Sequence, residues 1–93
     1  MMDMRVNAPE RNALRYFVYI LKCADGTLYT GITNDMESRI AAHNSGTGAK
    51  YTRGRSPVKL VYQETCDDRS AALIRERQIK KMPKVKKLKM ISE

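Results

Sequence analysis

From Tyr16 to Cys23 the chain reads YFVYILKC, apolar at nearly every position and rich in aromatic and β-branched types. A run this short and this evenly apolar predicts a strand covered on both faces, because a strand with one wet face would alternate. Asp25-Gly26 marks a tight turn, and Thr27 to Thr33 (TLYTGIT) has the composition of a second, antiparallel strand. Two registers compete for this hairpin. A loop of Asp25-Gly26 alone points Tyr19 and Tyr29 to opposite faces, whereas a three-residue loop, Ala24-Asp25-Gly26 with Gly26 left-handed, puts both on one face and sets Gly31 opposite Tyr19. The three-residue loop is preferred, since a glycine opposite Tyr19 leaves an open patch beside both phenols where a ligand can approach the sheet.

Beyond Thr33 the period lengthens. Met36, Ile40 and His43 at i, i+4, i+7 predict a helix through about Asn44, entered by a capping box of Asn34 and Glu37, with Arg39 at the edge of the apolar stripe. Residues 45–57 (SGTGAKYTRGRSP) hold glycines, a proline and basic residues, and read as a flexible positive loop that is not a packed element. Val58 to Glu64 predicts a third strand. Asp67 or Asp68 can cap a helix from about Ser70 to Met82, which Pro83 stops or redirects into a short basic helix. The fold class is therefore α+β: a small three-stranded antiparallel sheet flanked by helices, in the order β-β-α-β-α-α. Residues 1–14 show no sustained apolar period and read as a loosely ordered leader without chemistry, ahead of a single domain over residues 15–93.

Length and charge narrow the functions open to such a domain. A chain of 93 residues has room for one modest core, so any site must be assembled from its own few elements. Eighteen Lys and Arg against ten Asp and Glu give a net charge of +8, which favours a polyanionic partner, though charge alone does not separate DNA, RNA and an anionic membrane. No apolar run approaches the ~20 residues that span a bilayer, and no secretory signal opens the chain, so a cytoplasmic protein without membrane insertion is expected. Cys23 and Cys66 stand apart from each other and from the sole histidine, His43, and read as reduced thiols with no disulfide framework or zinc site.

The candidate chemistry lies on these predicted elements. Ala72, Glu76 and Ile79 at i, i+4, i+7 place a carboxylate within the stripe that should face the sheet. Its simpler role is a core-edge partner for an arginine; its chemical role is a metal ligand, because magnesium often takes one or two carboxylates and completes its shell with water and phosphate. Tyr19 and Tyr29, taken singly, are ordinary strand aromatics. Paired beside Gly31, and joined by Arg39 and His43 at i, i+4 on one helix face, they make up a set of acid-base groups, a cation and a metal ligand.

In this order the residues resemble the GIY-YIG nuclease superfamily, named for two strand motifs about ten residues apart, which are followed by an arginine helix and a glutamate helix. The motifs here are FVY at Phe17 to Tyr19 and YTG at Tyr29 to Gly31, then Arg39, His43 and Glu76, so the likeness covers about residues 16–90. It is nearest to the small stand-alone bacterial members (UPF0213-like), whose central segment HNSGTGAKYTRGRSPVKLVY resembles. Phe17-Val18 replaces Gly-Ile, Ile32 stands where repair members carry lysine, and the asparagine that follows the glutamate helix in larger members is missing.

The resemblance implies a metal-dependent endonuclease acting on DNA more than RNA, on branched, flapped or damaged substrates of the repair type. One divalent ion, Mg²⁺ or Mn²⁺, would be held by Glu76. Arg39 would stabilise charge in the transition state, Tyr19 or His43 would serve as base, and Tyr29 would orient the water. Lys50, Arg53 and Arg55 in the glycine loop, and Lys80, Lys81 and Lys84 towards the carboxyl end, are expected to grip phosphates. A monomer or weak homodimer is expected, with targeting left to a partner. The competing readings are a nucleic-acid-binding module of the same fold with little turnover, and a basic protein that docks on an acidic partner.

Overall fold

The computed structural model describes residues 15–92; the expected leader, residues 1–14, lies outside the described residues. Strands β1 (Tyr16–Lys22), β2 (Leu28–Thr33) and β3 (Lys59–Cys66) form one antiparallel sheet in the order β2-β1-β3. Helix α1 (Met36–Ser45) follows the hairpin, and α2 (Arg69–Lys80) and α3 (Lys84–Ser92) follow β3. Both the three-stranded sheet and the β-β-α-β-α-α order agree with the expectation from sequence.

The unbroken apolar run of β1 becomes the central strand. Val18, Tyr19, Ile20 and Leu21 are all fully buried, which contributes about 1.5–3 kcal/mol per large apolar side chain. Alternation then sorts them into two layers. Val18 and Ile20 pack with Ala72 and Ile79 of α2 and with Met90 and Ile91 of α3. Tyr19 and Leu21 face the other way, onto Met36 and Ile40 of α1, Val58 and Leu60. On β3 the register slips between Ile20 and Leu21, so that Ile20 pairs with Tyr62 but Leu21 with Leu60. The resulting bulge at Val61 lets Leu60 join the α1 layer while Val61 and Tyr62 serve the α2 layer. A strictly alternating VKLVYQE could not do both.

The hairpin adopts the three-residue loop. Cys23 N donates to Thr27 O at 2.8 Å, and Gly26 takes φ +86°, a left-handed value that glycine adopts without strain. Tyr19 therefore pairs with Gly31, and Tyr29 with Leu21 on the same face. The consequence differs from the open patch expected at Gly31. The space above the glycine is filled by Tyr19 itself: a Cβ built on Gly31 would lie 2.6 Å from Tyr19 Oη, 2.8 Å from its Cζ and 3.0 Å from Tyr29 Cε2. The glycine seats a tyrosine and leaves no gap for a ligand.

Several boundaries move for local reasons. Asp35, and not Asn34, caps α1: its carboxylate accepts from Ser38 N at 3.2 Å, while its own N–H donates to Thr33 Oγ1 at 3.0 Å. Gly46, at φ +88°, ends that helix. Of the two candidate caps for α2, Asp68 serves, accepting from Ala71 N at 2.9 Å. That helix starts one residue earlier than expected and stops at Lys80. The third strand begins at Lys59 and continues to Cys66, past the expected end at Glu64.

The largest correction concerns residues 45–57, which are anchored from several sides. Asn44 Oδ1 accepts from Val58 N at 2.7 Å, Arg55 O from Ala24 N at 2.8 Å, and Thr52 is fully buried. Of the glycines here, Gly48 marks a close approach, against His43, while Gly46 and Gly54 supply left-handed turns at φ +88° and +80°.

Replacing Gly31 by alanine is predicted to destabilise the protein by about 1–3 kcal/mol through overpacking against the enclosed Tyr19 ring. The shift of the urea midpoint measures this, and an unchanged midpoint would contradict the packing described.

Candidate active site

The preferred register brings Tyr19 and Tyr29 together, with ring centroids 6.3 Å apart. Helix α1 delivers its buried stripe to the same place. His43 is fully buried and its Nε2 lies 2.9 Å from Tyr19 Oη. Its centroid is 6.0 Å from that of Tyr19 and 5.1 Å from that of Tyr29, so the three rings pack against one another. The loop after α1 closes over His43. His43 Nδ1 meets Thr52 Oγ1 at 2.8 Å, and Gly48 packs so closely that a Cβ on it would lie 2.6 Å from Nδ1 and 2.8 Å from His43 Cα.

Arg39, one turn before His43, reaches across this cluster. Its Nη2 donates to Gly48 O at 3.2 Å, and its buried Nε has no hydrogen-bond partner among the described residues. The electrostatics follow from burial and this one cation. Enclosure pushes the Tyr19 phenol above its ordinary range, with the Arg39 guanidinium working against the rise and the charges of Tyr29 and Glu76 adding to it. Enclosure also holds His43 below the usual histidine value, and Arg39 lowers it further. His43 is thus neutral at pH 7, and it is closed to solvent.

Glu76 arrives from α2. Flanking Ala72 and Ile79 are fully buried, and the Glu76 side chain is only 15% exposed, as its place in the apolar stripe predicts. It touches neither tyrosine through a hydrogen bond; its influence on Tyr19 is electrostatic, and its carboxylate pairs with Lys80 at 3.3 Å. One carboxylate is a small donor set, and no group of three or more His, Cys, Asp or Glu side chains is placed to hold a metal among the described residues. A hard oxygen donor of this kind fits Mg²⁺ or Mn²⁺, which complete their shells with water and phosphate; it does not fit an all-protein zinc or calcium cage.

Of the basic residues, Lys50, Arg53, Lys81 and Lys84 are exposed. Lys84 Nζ lies 3.4 Å from Gly26 O. Arg55 is engaged: it bonds Asp25 at 3.0 Å and lies over the Tyr51 ring, 4.3 Å from its centroid. Tyr51 in turn stacks on Tyr29 at 5.8 Å. The Asp25–Arg55–Tyr51–Tyr29 chain ties the hairpin turn to the ring cluster through groups that are mostly exposed, and each link is worth little alone.

With this geometry in view, residues 15–89 match the family described as the GIY-YIG catalytic domain. The chain belongs to the GIY-YIG family. Within that family it is 57% identical over 79 residues to the UPF0213 protein SSP2268 of Staphylococcus saprophyticus, covering 85% of this chain and 96% of that one. It is 51% identical over 81 residues to the UPF0213 protein NP_0776A of Natronomonas pharaonis, covering 87% and 95%. The solution NMR structure of the UPF0213 protein BH0048 from Bacillus halodurans aligns with a TM-score of 0.55 at 43% identity, over 85% of this chain and 84% of that one. Among the described residues, no helix is long and apolar enough to cross a membrane.

Sequence reasoning overlooked Gly48, Tyr51 and Thr52 in this GIY-YIG domain. Tyr51 and Thr52 carried a faint signal, as a lone aromatic and a β-branched hydroxyl are out of place in a loop meant only to be soluble and basic, whereas Gly48 carried none. What could not be read was that the loop folds back onto His43.

The depressed histidine has a consequence for stability. An unfolded histidine titrates near 6.5, so the unfolded chain takes up the proton before the folded one does. The stability contribution of His43 is therefore whole above about pH 6.5 and is lost as pH falls through the lower folded value. Asp25, bonded by Thr27, and Glu64, bonded by Arg75 and Tyr62 against its burial, also have lowered values, but they act in the more acidic carboxylate range. The urea midpoint is expected to fall between pH 7 and 5 in the wild type, and less steeply in His43→Gln. Equal slopes in the two proteins would contradict the buried, neutral assignment.

Proposed function

We propose that this GIY-YIG protein is a divalent-metal-dependent endonuclease that hydrolyses phosphodiester bonds in DNA. The observation that carries the reading is the 2.9 Å contact between Tyr19 Oη and His43 Nε2, enclosed in one buried cluster with a guanidinium whose Nε lacks a partner among the described residues. A buried structural tyrosine needs one hydrogen-bond partner, but it does not need a guanidinium with an unpartnered donor beside it. A group that must pass on a proton next to a phosphate does.

The phenol is reluctant to ionise and the imidazole is reluctant to stay charged. Neither suffices alone at neutral pH, but together they form a transient relay. Tyr19 Oη takes a proton from the attacking water as its own proton passes to His43 Nε2. The hydroxide bonds to phosphorus, the P–O bond to the leaving oxygen breaks with its electron pair, and the proton on His43 returns through Tyr19 to the leaving oxygen or to solvent. Tyr19 is fully buried, so this relay requires a neighbouring side chain to move and admit the water, and Tyr29 and Arg39 are half-buried beside it.

Arg39 Nε–H is the donor for a phosphate oxygen, strengthening as charge grows there. Glu76 would hold the divalent ion, releasing Lys80, whose side chain is 53% exposed and free to turn away. A bound Mg²⁺ or Mn²⁺ supplies positive charge to the scissile phosphate and the departing oxygen. Lys50, Arg53, Lys81 and Lys84 then position the strand through phosphates away from the cut, and Arg55 does so if it leaves Asp25. Flapped, branched or damaged DNA is the substrate class this reading favours, by analogy within the family.

A binding module without turnover is the second reading, favoured by the closure of both Tyr19 and His43 to solvent. Labelled single-stranded, duplex, flapped and branched DNA incubated with Mg²⁺ or Mn²⁺ separates the two. Metal-dependent cutting that falls about 100-fold or more in Glu76→Gln is expected. Salt-dependent binding without cutting in both proteins would establish the binding module instead.

A further inference from the structure

Thr52 takes no part in the chemistry above, yet it is fully buried and joined by hydrogen bonds at both ends of its hydroxyl. Its Oγ1 donates to Ala49 O at 3.1 Å and lies 2.8 Å from His43 Nδ1. A hydroxyl carries a single proton. If that proton goes to the Ala49 carbonyl, which can only accept, Oγ1 offers Nδ1 a lone pair, and the proton between them must belong to the imidazole. A neutral imidazole protonated on Nδ1 has an unprotonated Nε2, which then accepts from Tyr19 Oη–H across the 2.9 Å contact.

The opposite tautomer is worse at both ends. Nε2–H would donate to Tyr19 Oη, and the phenolic proton, in a fully buried group, would have no acceptor among the described residues. At the other end, Thr52 would have to turn its proton to Nδ1 and abandon the Ala49 carbonyl. A buried donor without a partner is costly, so the two ends agree on one arrangement. Two further contacts hold it in place. Gly48 lies against the imidazole too closely for any side chain, and the bond from Arg39 to Gly48 O ties the loop to α1.

We propose that Thr52 is a positioning residue: by spending its only proton on the Ala49 carbonyl, it holds His43 as the Nδ1–H tautomer, with Nε2 aimed as an acceptor at Tyr19. The relay thereby has a direction. Protons pass from Tyr19 to His43, and the charged imidazole formed in the step keeps its second N–H satisfied by Thr52. This deepens the nuclease reading, since it is the relay that the direction serves, but the tautomer itself can be tested without any cleavage.

Because His43 is the sole histidine, ¹⁵N-histidine labelling gives one imidazole to follow by NMR, free of overlap. At pH 8 the wild type is expected to show an unprotonated Nε2 and a protonated Nδ1. Thr52→Ser, which keeps the hydroxyl, is expected to show the same. Thr52→Val, of similar shape but without the hydroxyl, is expected to shift the population towards Nε2–H and, where cleavage is measurable, to slow it about tenfold or more, an amount typical of one lost hydrogen bond. A wild-type imidazole protonated on Nε2, or a tautomer unmoved in a folded Thr52→Val, would overturn the proposal. Should Thr52→Val fail to fold, the wild-type and Thr52→Ser spectra still decide the tautomer. Absence of cutting in every protein, with the expected tautomer in the wild type, would count against the nuclease reading and leave Thr52 its positioning role.

Discussion

The hydrogen bond between Tyr19 and His43 sets the terms for the parts of the fold around it. A phenol and an imidazole are both polar, and both are fully enclosed here, so each must find its partners inside the protein or cost stability. That requirement explains features that look unrelated along the chain. Gly31 is needed because the Tyr19 ring lies on the backbone of β2. Gly48 is needed because the loop passes against the imidazole, and Thr52 because the far nitrogen needs a partner. The left-handed Gly26 sets the register that puts Tyr19 and Gly31 opposite one another at all.

Enclosure also divides the charges of the protein into two kinds. Arg39 is the cation of the inner site, and it acts on Tyr19 and His43 through a medium where its field is weakly screened. Other basic groups lie outside in water, some of them already engaged, as Arg55 is with Asp25 and Lys80 with Glu76. These pairs are worth little to stability and separate at little cost when a phosphate or a metal competes for them. Glu76 stands between the two kinds: its stem is held in the stripe that packs on the sheet, while its carboxylate meets an exposed ammonium.

Much of this was legible in the sequence, and the reasons are specific. The even apolar run of β1 identified the central strand because only a strand covered on both faces tolerates it. The residues at i, i+4, i+7 around His43 and Glu76 showed which faces turn inward. The register was preferred because it sets Gly31 opposite Tyr19, and that pairing holds. What stayed hidden depended on contacts distant in sequence. Glycines in residues 45–57 look like slack when read locally, but Gly48 marks a close approach to His43, and nothing nearby in the chain announces it. Gly31 was read as room for a ligand, although the partner seated there was Tyr19 itself. The bulge at Val61 was likewise invisible, because it reconciles two apolar layers whose partners lie elsewhere.

The central claim is that the buried phenol moves a proton during phosphodiester hydrolysis, and Tyr19→Phe examines it by removing one oxygen atom. Cleavage and DNA binding should be measured side by side on this variant, with circular dichroism to verify that the fold survives the unpaired His43 nitrogen. DNA affinity and its salt dependence are predicted to stay at wild-type values while the cleavage rate falls about 100-fold or more. A folded Tyr19→Phe protein that cuts at the wild-type rate would contradict the account.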